Sequence, residues 1–475
     1  MLSRPLVVDL DGTLLNSDML LETGLAYLRQ SPWCFFKPFL WLLKGKAHLK
    51  SQLAHTTDVD VSVLPYNSDV IALIQSVRAQ GRRVILATAT HHLLARKIAD
   101  HLNLFDDVLA TDEQCNLSAV NKQRALVEAF GEKQFDYIGN SADDLIVWGS
   151  AHSAVLVSHP DSRLVKQAQS HGNTERIIKP ARSRAQHWFK AMRLHQWLKN
   201  LLIFVPVLAS HQIADLGLFS DALLAFLLFG LCASSVYILN DLLDLTDDRH
   251  HLRKRRRPFA SGNLSIKTGL LTFPLLLGLS FTGAILFLPW PFMIVLAGYY
   301  VLTLAYSLFL KRQMSMDVIT LALLYTARLV AGAAACQIAL TSWILAFSMF
   351  IFLSLALVKR YTELLSERNK GNTTLTRGRG YYASDLEMIA AMGAASGYLS
   401  VLVLALYINE PTTALLYSSP QIIWLACPLM LFWISRIWIL AHRGQMHDDP
   451  VVFAAKDRTS LAVGAVMAGV FWLAT

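Results

Sequence analysis

Apolar stretches long enough to cross a membrane follow one another from about Trp188 to the end of the chain. A helix needs about 20 apolar residues to span the hydrocarbon core of a bilayer. About nine stretches satisfy this length, and they are centred near Phe204, Leu228, Leu277, Val301, Leu323, Phe350, Tyr398, Leu431 and Gly469. Residues 1–184 instead mix apolar and charged side chains, as soluble domains do. The sequence therefore predicts a soluble domain followed by an all-α polytopic membrane bundle.

Lysine and arginine are concentrated in alternate loops of this predicted bundle, and they supply most of the net charge of +9. Basic clusters follow the second, fourth, sixth and eighth predicted spans. By the positive-inside rule, these loops and the N-terminal domain are cytoplasmic, and the chain is an integral protein of the inner (plasma) membrane with its C-terminus outside. We expect no nucleic-acid partner, because the basic residues lie beside spans and acidic clusters, where phosphorylated lipids or substrates are simpler partners.

The cysteines and the N-terminus exclude some classes of protein. The 5 cysteines are scattered and form no Cys-x-x-Cys pair. They indicate reduced thiols or small packing residues, with neither a disulfide framework nor a zinc site. Residues 1–15 run directly into a predicted strand, so we expect no cleavable signal peptide. The sequence leaves open whether the chain forms homo-oligomers.

Three short apolar segments in the soluble half predict buried parallel strands, at residues 6–10, 83–87 and 135–138. Helical segments separate them, which favours a doubly wound α/β sheet. Ligands bind such sheets at the carboxyl ends of the strands. We therefore expect polar residues from these ends and from one helix to converge at one edge of the sheet, namely Asp9, Thr88, Lys122 and Asp144.

The same residues, in the same order, resemble the motifs of the haloacid dehalogenase superfamily of phosphohydrolases. The resemblance implies that Asp9 is a nucleophile that forms an aspartyl phosphate, and that Asp11 is the general acid and base. It implies that Thr88 and Lys122 hold the phosphoryl oxygens. It also implies a Mg²⁺ site formed by Asp9, the backbone carbonyl of Asp11, Asp144 and Asp143.

One position departs from that family's pattern. The last motif usually begins Gly-Asp, whereas this chain has Gly139-Asn140. An amide oxygen can still coordinate Mg²⁺, with weaker affinity or with Asp143 in its place. The alternative is a degenerate domain kept as a scaffold. The presence of the nucleophile, the acid and the lysine favours an active phosphatase.

Residues 17–68, between the first two motifs, are long enough for a small helical cap. Within them, residues 33–44 are apolar and aromatic with flanking lysines. This segment is too short to span a membrane. It fits either an interfacial helix that docks on lipid or on the membrane half, or the ordinary core of a cap.

A carboxylate cluster follows the second predicted span, with Asn240, Asp241, Asp244 and Asp248 in the pattern N-D-x-x-D-x-x-x-D. Spacings of three and four place the three aspartates on one face of a continuing helix, close enough to share one or two Mg²⁺ ions. The basic residues that follow are suited to bind the remaining charge of a phosphate, and they include Lys254, Arg255 and Arg257. The alternative is a solvated juxtamembrane helix, which this coincidence of ligands and cations makes less favoured.

On its hydrophobic background, this cluster resembles the UbiA superfamily of intramembrane prenyltransferases over roughly residues 192–475. The resemblance implies a helical bundle that holds a Mg²⁺-bound diphosphate at its cytoplasmic end. In the common pattern a second aspartate pair follows the sixth span. This chain instead has Lys359 and Arg360, followed by glutamates. That departure favours a more anionic set of substrates.

Three further segments, at residues 193–200, 306–311 and 379–385, resemble the branch that transfers phosphoribose to a polyprenyl phosphate, the decaprenyl-phosphate phosphoribosyltransferases. The resemblance implies phosphoribosyl diphosphate and a polyprenyl phosphate lipid as substrates. Carboxylate-bound Mg²⁺ would stabilise the departing diphosphate, and Asn240 would orient a ligand. Six cations would neutralise the other phosphates, namely Lys199, Lys254, Arg255, Lys311, Lys359 and Arg360.

Two charged features in the membrane half are less determined by the sequence. Asp317 and Arg328, in the fifth predicted span, fit either a buried pair that lines the cavity or a structural contact between helices. Asp448 and Asp449 belong to a late charged loop, to which we assign no role beyond contacts at the rim of the site.

The predicted domains are 1–178 for the phosphatase, 179–192 for a basic linker and 193–475 for the transferase. Phosphoribosyl transfer leaves a 5-phosphate on the lipid-linked ribose, which a fused phosphatase could remove. The competing interpretation is prenyl transfer from a polyprenyl diphosphate to an aromatic or other acceptor. A transporter or scaffold is less favoured, because the polar clusters lie at one membrane face and not at the midplane.

Overall fold

The computed structural model describes residues 4–113, 116–179, 185–212, 214–371, 380–410, 417–446 and 449–475. Residues 180–184 of the predicted linker and Arg379 lie outside these ranges. The chain forms two compact units, one of Met1–Met192 with Tyr237–Phe273, and one of Arg193–Val236 with Pro274–Thr475. Residues 237–273, which the predicted boundary at 193 assigns to the membrane domain, therefore cluster with the soluble half.

A six-stranded parallel sheet forms the centre of the first unit, with strand order β3-β2-β1-β4-β5-β6. The strands are β1 Leu6–Val8, β2 Val84–His91, β3 Asp107–Thr111, β4 Asp136–Gly139, β5 Ser153–Val157 and β6 Thr174–Ile178. In the register of the sheet, β1 lies between β2 and β4, with Val7 opposite both Ile85 and Tyr137. The predicted parallel α/β sheet is confirmed, and the carboxyl ends of the three motif-bearing strands are neighbours.

The helices of this part of the chain are α1 Met19–Gln30, α2 Lys37–Leu43, α3 Lys46–Thr56, α4 Ser68–Ala79, α5 His92–Leu102, α6 Ala119–Phe130, α7 Asp144–Ser150, α8 Arg163–Gln169 and α9 Ala185–Ala191. Successive side chains of a strand point to opposite faces. Accordingly, Leu6 and Val8 of β1 belong to one buried cluster, and Val7 belongs to another. Both faces of the sheet are thus buried, as the continuous apolar strands predict.

The aromatic segment of the cap lies on the surface. A short helical turn at Pro32–Cys34 and α2 present their large apolar side chains outward. The exposed fractions are 79% for Trp33, 68% for Phe39 and 84% for Leu43. These three side chains therefore do not form the cap core, which is built around Tyr27, Leu49 and Leu53.

The remaining helices are α10 Val205–Ala209, α11 Leu216–Leu243, α12 Leu245–His250, α13 Ile266–Phe287, α14 Trp290–Leu308, α15 Met316–Cys336, α16 Ser342–Asn369, α17 Leu386–Ile408, α18 Ala426–His442, α19 Pro450–Ala454 and α20 Arg458–Ala474. Among the described residues, 7 helical segments are long and apolar enough to cross a membrane, and they contain α11, α13, α14, α15, α16, α17 and α18. The expected count of about nine is not confirmed. The helical segments nearest the first and last predicted spans, Leu194–Ala209 and Arg458–Ala474, are shorter apolar ones.

Glycines in the second unit allow helices to pack closely. A Cβ atom at Gly332 would lie 2.0 Å from the backbone oxygen of Ile203, and one at Gly393 would lie 2.0 Å from the ring of Trp438. Small residues at such contacts let neighbouring membrane helices approach at short distance. The contact at Gly332 is the less adaptable of the two, because its neighbour is backbone.

We predict that Gly332→Ala destabilises the membrane bundle by about 1–3 kcal/mol, because an added methyl group overpacks a contact that cannot relax. The measurement is the temperature at which half of the detergent-solubilised protein loses its monodisperse form. Gly298→Ala is the matched control, since a Cβ atom at Gly298 meets nothing within 4 Å. An equal effect of the two substitutions would contradict this account of the packing.

Candidate active sites

The predicted nucleophile lies at the end of β1 in a buried ion pair. The Lys122 ammonium, from α6, donates to Asp9 Oδ1 at 2.6 Å and to the Tyr137 hydroxyl at 3.0 Å. Burial lowers the pKa of Lys122, but the carboxylates of Asp9 and Asp144 outweigh this effect and raise it above its usual value. The lysine therefore carries a charge beside the nucleophile, as the stabilisation of a phosphoryl group requires.

Asp11 lies beside the nucleophile and is held by two donors. Its carboxylate accepts from the Met19 backbone N–H at 2.7 Å and from the Thr90 hydroxyl at 2.8 Å. Burial raises the pKa of Asp11 to about 6, with Asp18 adding to the effect and the two hydrogen bonds opposing it. A carboxyl group with a pKa near neutrality is suited to proton transfer in both directions.

The predicted phosphate ligand Thr88 lies two residues before the threonine that reaches the cavity, Thr90. The second strand continues to His91, and the Thr88 hydroxyl is buried where it accepts from the Thr90 backbone N–H at 3.0 Å. Thr90, which bonds Asp11, is the threonine in the wall of the cavity. The pairing of β2 with β3 is irregular between Thr88 and His91, and a role of Thr88 in binding phosphate stays a prediction.

Two side chains of the last motif, Asp144 and Asn140, make different contacts. Asp144 Oδ2 accepts from the backbone N–H groups of Asn140 at 3.0 Å and Ser141 at 2.9 Å, and Oδ1 accepts from Tyr137 at 2.7 Å. Asp144 therefore holds the loop in place. The Asn140 amide oxygen and the Asp9 carboxylate both accept from the Thr13 hydroxyl, at 3.2 and 3.3 Å.

These contacts show whether Mg²⁺ fits the site around Asp9. Because Asp9 and Asn140 share one hydroxyl donor, their oxygens lie close together, and exposed Asp143 lines the same cavity. Mg²⁺ takes one or two carboxylates with waters and substrate phosphates. Asp9, Asn140 and Asp143 therefore fit as its ligands. Asp144, although predicted as a ligand, is already engaged by the loop.

The helix that carries the aspartate cluster is interrupted. The second predicted span, α11, ends at Leu243, and Asp244 lies in the turn before α12. The spacing predicts that the three aspartates lie on one face of a continuing helix. The helix is instead broken at Asp244, so this prediction is wrong. Among the described residues, no group of three or more His, Cys, Asp or Glu side chains is placed to hold a metal ion.

Two of the aspartates nevertheless meet at one cation. Arg257 Nη1 donates to Asp241 Oδ1 at 3.0 Å and to Asp248 Oδ2 at 2.7 Å. Burial raises the pKa of Asp248 to about 6, Arg257 opposes this effect and Asp241 adds to it. Because one nitrogen atom reaches both carboxylates, Asp241 and Asp248 fit a Mg²⁺ ion as a pair. Asp244 lies 3.9 Å from Arg29, a residue of the cap helix α1.

A buried ion pair that the sequence did not reveal lies within the first unit. Arg249 Nη1 and Nη2 donate to the two carboxylate oxygens of Glu22 at 3.0 and 2.6 Å, and Nε donates to the Ala260 carbonyl at 3.0 Å. Both side chains are buried. Asp247 and Arg29 form a second ion pair between the segment after the aspartate cluster and the cap helix α1. The segment after the aspartate cluster is thus held against the cap of the phosphatase fold.

In the second unit, two predicted phosphate-binding lysines meet at one carboxylate. Lys199 Nζ lies 2.7 Å and Lys359 Nζ 3.2 Å from Asp449 Oδ2, while the Tyr325 hydroxyl donates to Oδ1 at 2.9 Å. Burial raises the pKa of Asp449, but the two lysines outweigh it and hold the pKa well below its usual range. Asp449 therefore organises this site, beyond the rim contacts to which the sequence assigned it.

The predicted pair of Asp317 and Arg328 does not form. Asp317 pairs with Arg360 at 2.5 Å, and both are fully buried. Arg328 instead donates to the Asn200 side chain at 2.9 Å. Arg360, predicted to bind phosphate, is thus enclosed by protein groups, which include Glu363. The acid and the arginine were mismatched because an ion pair between two helices leaves no periodic signal in the sequence.

The other predicted site residues have varied exposure. Lys254 and Arg255 are exposed in a short helical turn, Lys254–Arg256. Lys311 lies half-buried in another turn, Leu310–Arg312, and Asn240 is half-buried near the end of α11. Their roles in binding stay predictions.

Together, the fold and these clusters define a membrane-embedded transferase bundle joined to a phosphohydrolase-like α/β domain. Residues 202–463 match the UbiA prenyltransferase family, and residues 6–145 match haloacid dehalogenase-like hydrolases. The first match covers more than half of the chain. The chain belongs to the UbiA prenyltransferase family and carries an N-terminal haloacid dehalogenase-like domain.

Similar proteins come from several bacteria. The uncharacterized protein y4nM of Sinorhizobium fredii is 37% identical over 99% of this chain and 91% of its own. The nodulation protein NoeC of Azorhizobium caulinodans is 39% identical over 57% of this chain and 88% of its own. The decaprenyl-phosphate phosphoribosyltransferase of Mycolicibacterium smegmatis is 28% identical over 59% of this chain and 89% of its own. A solved structure of a UbiA homolog from Archaeoglobus fulgidus, bound to GPP and Mg²⁺, is 17% identical. The match covers 60% of this chain and 98% of that one, with a TM-score of 0.46.

We predict that Asn140→Asp lowers the Mg²⁺ concentration needed for half-maximal phosphate release by roughly tenfold, because an added carboxylate beside Asp9 strengthens the binding of a hard cation. The measurement is phosphate release from a small phosphomonoester across a Mg²⁺ titration. Asn140→Ala is the paired variant, and it should raise the same concentration. A Mg²⁺ dependence that is identical in all three proteins would show that residue 140 is not a ligand.

Proposed function

We propose that the membrane domain transfers phosphoribose from phosphoribosyl diphosphate to a polyprenyl phosphate, and that the fused domain then removes the 5-phosphate. The product is a polyprenyl-phosphoryl ribose. The observation that carries the proposal is the meeting of Lys199 and Lys359 at Asp449. An ammonium has three N–H donors, so each lysine can bond this carboxylate and a phosphate oxygen at once. Two lysines at one carboxylate suit a set of substrates that carries several phosphate groups.

The comparisons support the same substrate class. The similar protein from Mycolicibacterium smegmatis is named for the transfer of phosphoribose to decaprenyl phosphate, and its similarity extends over 89% of its length. We carry this activity to the present chain as part of the proposal. The polyprenyl chain length and the final glycolipid lie outside it.

The transfer is a displacement at the anomeric carbon of the ribose. A lipid phosphate oxygen forms the new C–O bond while the bond to the diphosphate breaks. The attacking phosphate is already an anion, so the site needs no general base. Lys199 and Lys359 bind and orient anionic oxygens. Asp241 and Asp248 would hold the Mg²⁺ that neutralises the diphosphate, and Arg257 lies between them to bind the same group.

The phosphatase step uses the groups at the end of β1. An Asp9 oxygen attacks the 5-phosphorus atom, and Asp11 gives its proton to the ribose oxygen as the P–O bond breaks. Asp11 then takes a proton from the water that hydrolyses the aspartyl phosphate. Lys122 bonds Asp9 and stabilises the charge of the phosphoryl group. Asp9, Asn140 and Asp143 would hold the Mg²⁺ that this chemistry requires.

We place the enzyme in the inner membrane with both sites at the cytoplasmic face. The support is the distribution of charge, since basic clusters occupy alternate loops of the bundle. Phosphoribosyl diphosphate is a soluble metabolite, so a site open to the cytoplasm can receive it. The exposed aromatic side chains of the cap, Trp33 and Phe39 among them, suit the nearby lipid interface.

We predict that membranes that contain this protein incorporate label from ribose-labelled phosphoribosyl diphosphate into lipid when polyprenyl phosphate and Mg²⁺ are supplied. Asp241→Ala should reduce this incorporation by at least about 100-fold, because it removes one carboxylate of the proposed pair. The measurement is label in the lipid extract. Asp221→Ala is a control, since Asp221 precedes the cluster by 20 positions on α11.

Prenyl transfer is the second candidate function, and its support is the family match. One result would favour it over phosphoribosyl transfer. In that case no label enters lipid, yet the same membranes consume a polyprenyl diphosphate in a reaction that needs Mg²⁺ and Asp241. Incorporation that persists in Asp241→Ala would contradict the assignment of the carboxylate pair.

A further inference from the structure

The cavity above the phosphatase residues is much larger than a phosphate group. Its volume is about 690 Å³, within the range that usually holds a whole organic ligand. Asp9, Asp11 and Lys122 lie in its wall together with apolar side chains, which include Leu20 and Leu94. A cavity of this kind accommodates a phosphoester whose leaving group is itself bulky.

Three more lysines line the cavity, and none belongs to a motif that identifies the phosphatase. Lys46 and Lys50 come from the cap helix α3, where a spacing of four places them on one face. Lys50 Nζ is fixed by the Ala89 carbonyl at 2.7 Å and the Asn116 side chain at 2.9 Å. Lys267 comes from the first turn of α13, beyond the aspartate cluster.

The position of Lys267 follows from the packing of its segment within the first unit. A Cβ atom at Gly262, where φ is +74°, would lie 2.7 Å from Asn16 Cβ and 2.9 Å from the Asn16 carbonyl. The chain therefore passes in direct contact with the loop that follows the Asp9 motif. Arg249, which bonds Glu22 and the Ala260 carbonyl, fixes the same segment from the other side. Lys267 is thus brought to the cavity by two buried contacts.

Most acidic residues of the cavity are engaged elsewhere, although the charges of Asp11 and Asp18 act on Lys50. Asp18, which also lines it, caps α1 by accepting from the backbone N–H groups of Leu20 and Leu21 at 2.9 and 3.2 Å. The other carboxylates are the nucleophile Asp9, the acid Asp11, the proposed Mg²⁺ ligand Asp143, and Asp144, which holds its own loop. Lys46, Lys50 and Lys267 thus remain for an anionic group other than the one under attack.

We propose that Lys267, with Lys46 and Lys50, forms a second anion subsite in this cavity, and that the substrate of the phosphatase is a sugar phosphate that carries a second phosphate group. This inference rests on the proposed phosphatase function and specifies it. The lipid-linked product of the proposed transfer has this chemistry, with a 5-phosphate at one end of the ribose and a phosphodiester at the other. The segment that contains the transferase carboxylates thus supplies a specificity residue to the phosphatase.

The test measures equilibrium binding of two soluble probes, ribose 5-phosphate and ribose 1,5-bisphosphate, to the full-length protein with Mg²⁺. The protein carries Asp9→Asn, so the result does not depend on turnover. We expect the bisphosphate to bind roughly tenfold more tightly, because a second charge-assisted contact forms. Adding Lys267→Gln should reduce the preference to about twofold, whereas Lys267→Arg should retain most of it.

Arg253→Gln is the matched control, because Arg253 is an exposed cation of the same segment outside the cavity wall. It should leave the preference unchanged. A preference that survives Lys267→Gln, or an equal loss of affinity for both probes, would overturn the subsite. Failure of the proposed function is a different result: the wild-type protein would release no phosphate from phosphoribosylated polyprenyl phosphate, while the dependence of the preference on Lys267 would persist.

Discussion

The buried pair of Glu22 and Arg249 is the contact on which the arrangement of the first unit depends. Both side chains are almost fully enclosed, and two hydrogen bonds of 2.6 and 3.0 Å join them. Loss of one member of such a pair leaves a buried charge without its partner, which typically costs about 3–5 kcal/mol. The pair therefore fixes the segment after the aspartate cluster against the cap. The placement of Gly262 beside the Asp9 loop, and of Lys267 in the cavity wall, follows from it.

This arrangement gives a physical reason for the fusion of two domains. The transferase carboxylates Asp241 and Asp248 and the phosphatase cap belong to one compact unit, although about 200 residues separate them along the chain. Under the proposed function, a cavity residue from the segment after the aspartate cluster suits the phosphatase domain to a substrate that the membrane domain makes. The buried pair of Glu22 and Arg249 lies within this unit and ties the segment after the aspartate cluster to the cap.

Much of the soluble fold could be predicted from the sequence, because its signals are local. The strand that leads to Asp9 and the strand before the loop of Asp144 are each indicated by a short apolar run with polar residues at its end. Thr88 is the predicted site residue, whereas Thr90, two residues further along β2, lies in the cavity wall. The end of a strand is set by its neighbours in the sheet, which the sequence does not show.

Two ion pairs, one in each unit, were not predictable, because each joins residues far apart along the chain. Arg249 and Glu22 are separated by 227 positions, and Lys199 and Asp449 by 250. Composition and spacing placed the basic residues near the membrane surface, but they could not identify the acidic partners. The same limitation explains why Asp317 was matched with Arg328, whereas Arg360 is its partner. The helix break at Asp244 was missed because the helical spacing of the aspartates continues through it.

The most direct test of the account is the phosphate content of the lipid product, measured by mass spectrometry of extracts from membranes with wild-type protein or Asp9→Asn. We expect polyprenyl-phosphoryl ribose from the wild type. From Asp9→Asn we expect the same lipid with a 5-phosphate, at an unchanged total amount of transferred ribose. Identical products from the two proteins would contradict the claim that the fused domain acts on the transferred sugar. Loss of transfer in Asp9→Asn would contradict the claim that the two sites are separable.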